Sequence, residues 1–178
     1  MVVNILDTTN KYKTIYADPP WMEVGGGKIK RGADAHYPLM KTKAIMEIPV
    51  ARLVDPNGCH LYLWATNNFL PDAMKVIEAW GFKYITMITW TKDSIGLGQY
   101  YRGMTEQCLF ASTKLRLPYK IVDGKRIQGV TGFAEPRREH SVKPDKMRSM
   151  IESVSYDPRI ELFARQEFPN WDCWGNQI

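Results

Sequence analysis

Thr14-Ile15-Tyr16-Ala17-Asp18-Pro19-Pro20-Trp21 is the stretch on which the reading of this chain turns. Its first four residues are apolar and β-branched or aromatic, the pattern of a short buried strand. Asp18 precedes a proline and is therefore biased towards an extended backbone. Both prolines have a fixed φ, and neither has an N–H to give to a ladder. The strand must stop here, and it stops on a stiff turn carrying a carboxylate. The carbonyl of Pro19 is expected to be a free acceptor beside that carboxylate. Two acceptors side by side can take both hydrogens of an amino group, and Trp21 can stack on the flat ring that carries the amine. The combination suits methyl transfer to the exocyclic amine of a nucleobase. The plain alternative is a strand end followed by a core tryptophan.

Composition narrows the class. The 178 residues suit one domain, and 44% hydrophobic content is normal for a globular protein. No apolar run reaches the roughly 18 residues of a membrane span, and the N-terminus lacks the pattern of a signal peptide. Cys59, Cys108 and Cys173 are odd in number and far apart, and His36, His60 and His140 show no ligand spacing. Neither a disulfide framework nor a metal site is expected, and reduced thiols suggest a cytoplasmic protein. The net charge is +5, but it is unevenly spread. Residues 114–148 hold ten Lys/Arg against four Asp/Glu, and Lys28, Lys30 and Arg31 flank a Gly25-Gly26-Gly27 run. Basic loops of this kind suit nucleic acid.

Apolar runs alternate with helical patterns, which predicts an α/β domain. Strands are expected at 14–17, 59–65, 84–91, 106–113 and, as the last, 159–164. Thr42 is expected to cap a short helix ending near Pro49. Ala73, Val76, Ile77 and Trp80 share a helical face that Gly81 closes. Pro144 suits the first position of a helix carrying Met147, Met150, Ile151 and Val154 as its stripe. Residues 22–37 read as a mobile loop, and 115–139 as a polar, basic, partly disordered segment without periodicity. Lys28 is followed by Ile29, so the glycine run is no phosphate-binding P-loop.

With these motifs in order, the chain resembles the MT-A family of adenine amino-group methyltransferases. The resemblance is carried by Tyr16–Trp21, Leu61-Tyr62-Leu63-Trp64-Ala65, Ala79-Trp80-Gly81-Phe82 and Ile88-Thr89-Trp90-Thr91-Lys92. It continues through Glu106-Gln107-Cys108-Leu109, Lys143-Pro144-Asp145, Ile160-Glu161-Leu162-Phe163-Ala164-Arg165 and Gly175-Asn176-Gln177. It implies a Rossmann-like methyltransferase fold with S-adenosylmethionine as donor and S-adenosylhomocysteine as product. It also implies a permuted order, the catalytic motif preceding the donor-binding strand. Donor and substrate would then meet beyond the carboxyl ends of the parallel strands.

The resemblance implies roles residue by residue. Asp18, Pro19, Pro20 and Trp21 form the catalytic turn, and Asp18 and Pro20 also touch the donor. Lys143 faces the methionine part of the donor, Glu161 and Arg165 its ribose, and Asn176 and Gln177 its adenine end. Lys28, Lys30, Arg31 and Tyr37 would form one lip of the substrate site, and Tyr100, Tyr101 and Arg102 the other. Residues 115–139 would be a target-recognition insertion in a single domain spanning 1–178. No metal is implied. DNA is favoured over RNA because the chain is a minimal domain. The alternatives are an RNA adenine methyltransferase, a catalytically silent binding subunit, and transfer to a cytosine or small-molecule amine. Homo- or hetero-oligomerisation stays open.

Overall fold

The structure, a computed structural model, describes residues 1–22, 39–96, 98, 100–113, 119–137, 142–175 and 178. Strand β1 (Thr14–Ala17) is completely buried. It pairs in parallel with β2 (His60–Ala65) on one side and β8 (Arg159–Leu162) on the other. Strands β3 (Lys83–Thr91), β4 (Thr105–Ser112), β7 (Gly132–Ala134) and β9 (Asp172–Trp174) complete a seven-stranded sheet ordered β7-β3-β4-β2-β1-β8-β9. Only β4 runs against its neighbours.

Alternation along β1 and β2 sends side chains to two separate cores, as a strand buried on both faces requires. Ile15, Ala17, Leu61 and Leu63 pack with Ile45 of α1 (Thr42–Met46) and with Ala73, Val76 and Ile77 of α2 (Leu70–Ala79). Tyr16, Tyr62 and Trp64 pack on the other face, with Met147 and Ile151 of α3 (Asp145–Val154). Gly81 takes φ +84° and its N–H bonds the Glu78 carbonyl at 3.0 Å, so α2 ends as its sequence predicts.

Several expectations need correction. Residue 42 is the first residue of α1 rather than its cap; Lys41 holds the cap position without a side-chain bond. Pro144 stands at the N-cap of α3, one position earlier than predicted. The strand at 159–164 is not the last: after a turn in which Phe163 takes φ +61°, the chain returns as β9. Within 115–139, the described residues form a hairpin of β5 (Ile121–Val122) and β6 (Lys125–Arg126), then β7. Asp123 and Gly124, both at positive φ, make its turn. An Asp-Gly pair is the expected signal for such a turn, though the strands are too short to show alternation.

The outer edge at β9 is covered by the N-terminus, where Val3 N–H donates to the Cys173 carbonyl at 2.9 Å and Cys173 N–H to that of Met1 at 2.9 Å. On the inner side the chain passes so close to residue 164 that a Cβ on Gly175 would lie 2.1 Å from the Ala164 oxygen and 2.7 Å from its nitrogen. Both atoms are backbone and cannot swing aside. Gly175→Ala is expected to cost about 1–3 kcal/mol, the range for overpacking, read as a lower denaturation midpoint with unchanged slope. An unchanged midpoint would refute the close approach.

Candidate active site

The turn after β1 is held on three sides. Met40 N–H donates to the Pro20 carbonyl at 2.7 Å, and Met22 N–H donates to the Met40 carbonyl at 3.0 Å. Met22 and Met40 are thus anchored beside this turn, and segment 23–38 lies outside the described residues. Lys28, Lys30, Arg31 and Tyr37 fall within that segment.

Trp21 is placed differently from the sequence expectation. It is 7% exposed, stacks on Phe69 with centroids 5.4 Å apart, and donates its indole N–H to the Trp64 carbonyl at 2.9 Å. Trp64 in turn donates to the Tyr16 hydroxyl at 2.6 Å. Phe69 thus covers one face of the Trp21 ring. Trp21 here ties the turn to β2. Trp21→Ala is therefore expected to cost about 3–5 kcal/mol of stability, the range for a buried aromatic. Trp21→Phe should keep the stack and lose only the hydrogen bond, about 1 kcal/mol. Urea denaturation of the two variants checks this; equal stability of both with the parent would return Trp21 to an open, base-facing role. The Pro19 carbonyl is not free either: Trp21 N–H donates to it at 2.9 Å, which leaves one lone pair for another donor.

Asp18 stands in a chain of opposite charges. Its Oδ2 accepts from Lys143 Nζ at 2.8 Å, and Lys143 also approaches Glu106 Oε2 at 3.4 Å. Glu106 pairs on its other oxygen with Lys92. Arg165 Nη2 lies 3.9 Å from Asp18. All five groups sit at one end of the sheet. Asp18 follows β1, Lys92 follows β3 and Arg165 follows β8. Lys143 precedes α3, and Glu106 is the second residue of β4, which begins where its neighbours end. Burial opposes the charge on Lys143, but Asp18 and Glu106 outweigh it and hold the ammonium above the ordinary lysine range. Burial likewise opposes the charge of Glu106, and Lys143 and Lys92 bring it below the usual carboxylate value.

Glu161 lies opposite Tyr16 in the β1–β8 register and pairs with Arg148 of α3 at 2.8 Å. Burial nevertheless pushes its carboxyl above the ordinary value. Tyr100 and Tyr101 lie in the loop between β3 and β4, each 93% exposed. The neck of that loop is closed by the Lys92 N–H to Met104 carbonyl bond at 2.8 Å, and Arg102 Nε donates to the Gly96 carbonyl at 2.9 Å. Arg102 is thus partly committed to its own loop. Asn176 and Gln177 lie outside the described residues.

Of the predicted residues, Asp18, Lys143 and Arg165 are brought together, and Glu161 lies on the adjoining strand. Sequence reasoning missed Glu106, Lys92 and Arg148. Glu106 could have been found only by knowing that its strand is antiparallel, since this alone brings a strand's beginning to the site. Lys92 does stand at the end of the Ile88–Thr91 motif.

A sheet with one reversed strand and a charged, rigid turn at the carboxyl end of a central parallel strand defines a Rossmann-like methyltransferase. Residues 12–177 match the MT-A70 family, and the chain belongs to it. The family's methyltransferases use S-adenosylmethionine, and this chain is an adenine methyltransferase of that kind. The chain is 30% identical to the type II methyltransferase M.MunI of a Mycoplasma species, over 94% of its own length and 78% of that protein. It is 25% identical to the human N(6)-adenine-specific methyltransferase METTL4, covering 98% of itself and 39% of METTL4. Against the human N(6)-adenosine-methyltransferase catalytic subunit METTL3, identity is 26% over 94% of this chain and 28% of METTL3. The chain thus spans most of the first relative and well under half of the other two.

Proposed function

We propose that this chain methylates the exocyclic amino group of adenine in DNA. The observation that carries the reading is Asp18, locked on a proline turn at the end of β1 and paired with Lys143. The donor fits the residues present: a half-buried lysine for a carboxylate, and acidic side chains for hydroxyl and ammonium groups. When bound, S-adenosylmethionine supplies a methyl group activated by its sulfonium.

Asp18 and the remaining lone pair of the Pro19 carbonyl accept the two amino hydrogens. This weakens delocalisation of the nitrogen lone pair into the ring and directs it at the methyl. The donor would supply the methyl group as an electrophile and leave with the sulfur–methyl electron pair as a neutral thioether. The proton the amine sheds would pass to solvent along its hydrogen bond to Asp18. Lys143 fixes the Asp18 carboxylate through its 2.8 Å hydrogen bond and offers its remaining hydrogen to the donor carboxylate. The work of the protein is alignment and fixed charge.

The base must leave its stack to reach the turn. Lys28, Lys30 and Arg31 are assigned to phosphates, as is the remaining donor capacity of Arg102, with Tyr37 at the rim. The basic 115–139 segment is assigned to target recognition within one domain. Asn176 and Gln177 are assigned to the donor adenine. Since Tyr100 and Tyr101 are almost wholly exposed, they are the aromatics available for stacking. Tyr100→Ala and Tyr101→Ala are each expected to weaken oligonucleotide binding by about 1–3 kcal/mol, measured by fluorescence anisotropy, with an unchanged melting temperature. Binding equal to the parent would remove them from the interface.

The match to a type II methyltransferase over most of its length supports an enzyme acting on DNA. The buried, unpaired thiols Cys59, Cys108 and Cys173 support a reducing, cytoplasmic setting. The test is incubation with methyl-labelled S-adenosylmethionine and matched DNA and RNA oligonucleotides, followed by nucleoside analysis. Label in DNA adenine supports the reading. Label only in RNA, or in cytosine, overturns the substrate. Donor binding without transfer in either arm points to a silent subunit.

A further inference from the structure

Arg148 has no part in the reaction as derived above, yet it is held more elaborately than a surface arginine. It projects from α3 with its guanidinium 3.5 Å from the Phe168 ring centroid, 5.1 Å from that of Trp171 and 5.5 Å from that of Tyr16. Trp171 is fixed in turn, donating its indole N–H to Glu152 of the same helix at 2.7 Å. The side chains of Arg148 and Glu161 are both 14% exposed. Nη1 lies 2.8 Å from Glu161 Oε2, but the approach is off the line of a hydrogen bond. Glu161 Oε2 and Arg148 Nε are both buried without a hydrogen-bond partner among the described residues.

A buried ion pair is a weak means of stabilising a fold. One whose carboxylate keeps 14% of its side-chain surface open at the carboxyl end of a parallel strand has another use. We propose that Arg148 is a positioning residue, clamped by three aromatic rings, that keeps Glu161 ionised and aimed to accept hydrogen bonds from the bound methyl donor. This rests on the donor-binding reading of Glu161.

The groups facing Glu161 are Arg148 from α3, Asp18 after β1, Tyr16 on β1, Arg165 after β8 and Cys173 on β9. Burial and Asp18 favour the protonated acid; Arg148 and Arg165 favour the carboxylate. Without Arg148 the balance moves further towards the acid. A neutral Glu161 carries a proton where an acceptor is needed.

The experiment measures S-adenosylhomocysteine binding by calorimetry at several pH values between 6.5 and 8.5. It compares the parent, Arg148→Met, Arg148→Lys and Glu161→Gln, each with a melting curve. The parent should bind with a nearly flat profile. R148M should bind about tenfold or more weakly at the acid end and recover as pH rises, since each unit of pKa shift is worth tenfold. R148K should restore both the affinity and the flat profile, and E161Q should bind weakly throughout. Arg148→Gln replaces R148M if the latter is melted at the working temperature. R148M binding like the parent, or weakly by one factor at every pH, overturns the proposal, the second outcome marking a packing role. E161Q binding like the parent instead overturns the donor-site reading beneath it.

Discussion

Asp18→Asn is expected to reduce methyl transfer by about 10²–10³-fold while the protein still folds, a loss of the size seen when one preorganised electrostatic group is removed. Asparagine keeps the shape of the side chain and one acceptor oxygen. It loses the charge that strengthens a hydrogen bond to an amine acquiring positive character. Its own amide hydrogens also face the ammonium of Lys143, now 2.8 Å away in the parent and without its first counter-ion. The fold should survive because Lys143 keeps Glu106 at 3.4 Å. Single-turnover transfer at saturating donor, with S-adenosylhomocysteine affinity measured separately, checks the claim. Transfer within threefold of the parent would remove Asp18 from the reaction.

Lys143→Met is expected to have the largest effect on stability. It leaves Asp18 and Glu106, with 16% and 19% of their side chains exposed, without the cation between them. Removing one partner of a buried pair costs about 3–5 kcal/mol, a melting temperature lower by on the order of 10 °C for a chain of this size. The cost has a defined pH dependence. Glu106 has a depressed pKa, so its stabilisation is present above its unfolded value and is lost as pH falls through the folded value. Lys143 has a raised pKa, so its stabilisation is present below its unfolded value and is lost as pH rises through the folded one. Parent and variant should therefore differ most between about pH 5 and 9, and converge as Glu106 protonates in acid. Asp18→Asn added to Lys143→Met should recover part of the loss, because it removes the charge left with only Arg165 at 3.9 Å beside it. Strict additivity in denaturant titrations would show that the two residues do not share a network.

The elements legible in the sequence are those with strong local chemistry. The 14–17 strand and its proline stop, the α2 stripe closed by Gly81, and the α3 stripe were each written in the spacing of apolar residues. The 115–139 region was not, because two-residue strands carry no period, even though Asp123-Gly124 marks their turn. β9 was missed for a similar reason: three residues after a return turn cannot be told from loop until β8 is there to pair with them. Trp21 and the Pro19 carbonyl show a further limit. Sequence identifies an aromatic and an acceptor, but not which neighbours have already engaged them.

The sequence by itself determined the class of the chain and the stiff turn on which Asp18 is held. A carboxylate held by two prolines at a strand end is a local property, set by fixed φ angles and a missing N–H. Only the tertiary structure decided how that carboxylate is paired and what surrounds it. Lys143 lies 125 residues from Asp18, and Glu106 reaches them because β4 runs in reverse. Pairing direction and ion-pair partners follow from which strands become neighbours, and that is settled by burying two faces of one sheet at once rather than by any single segment.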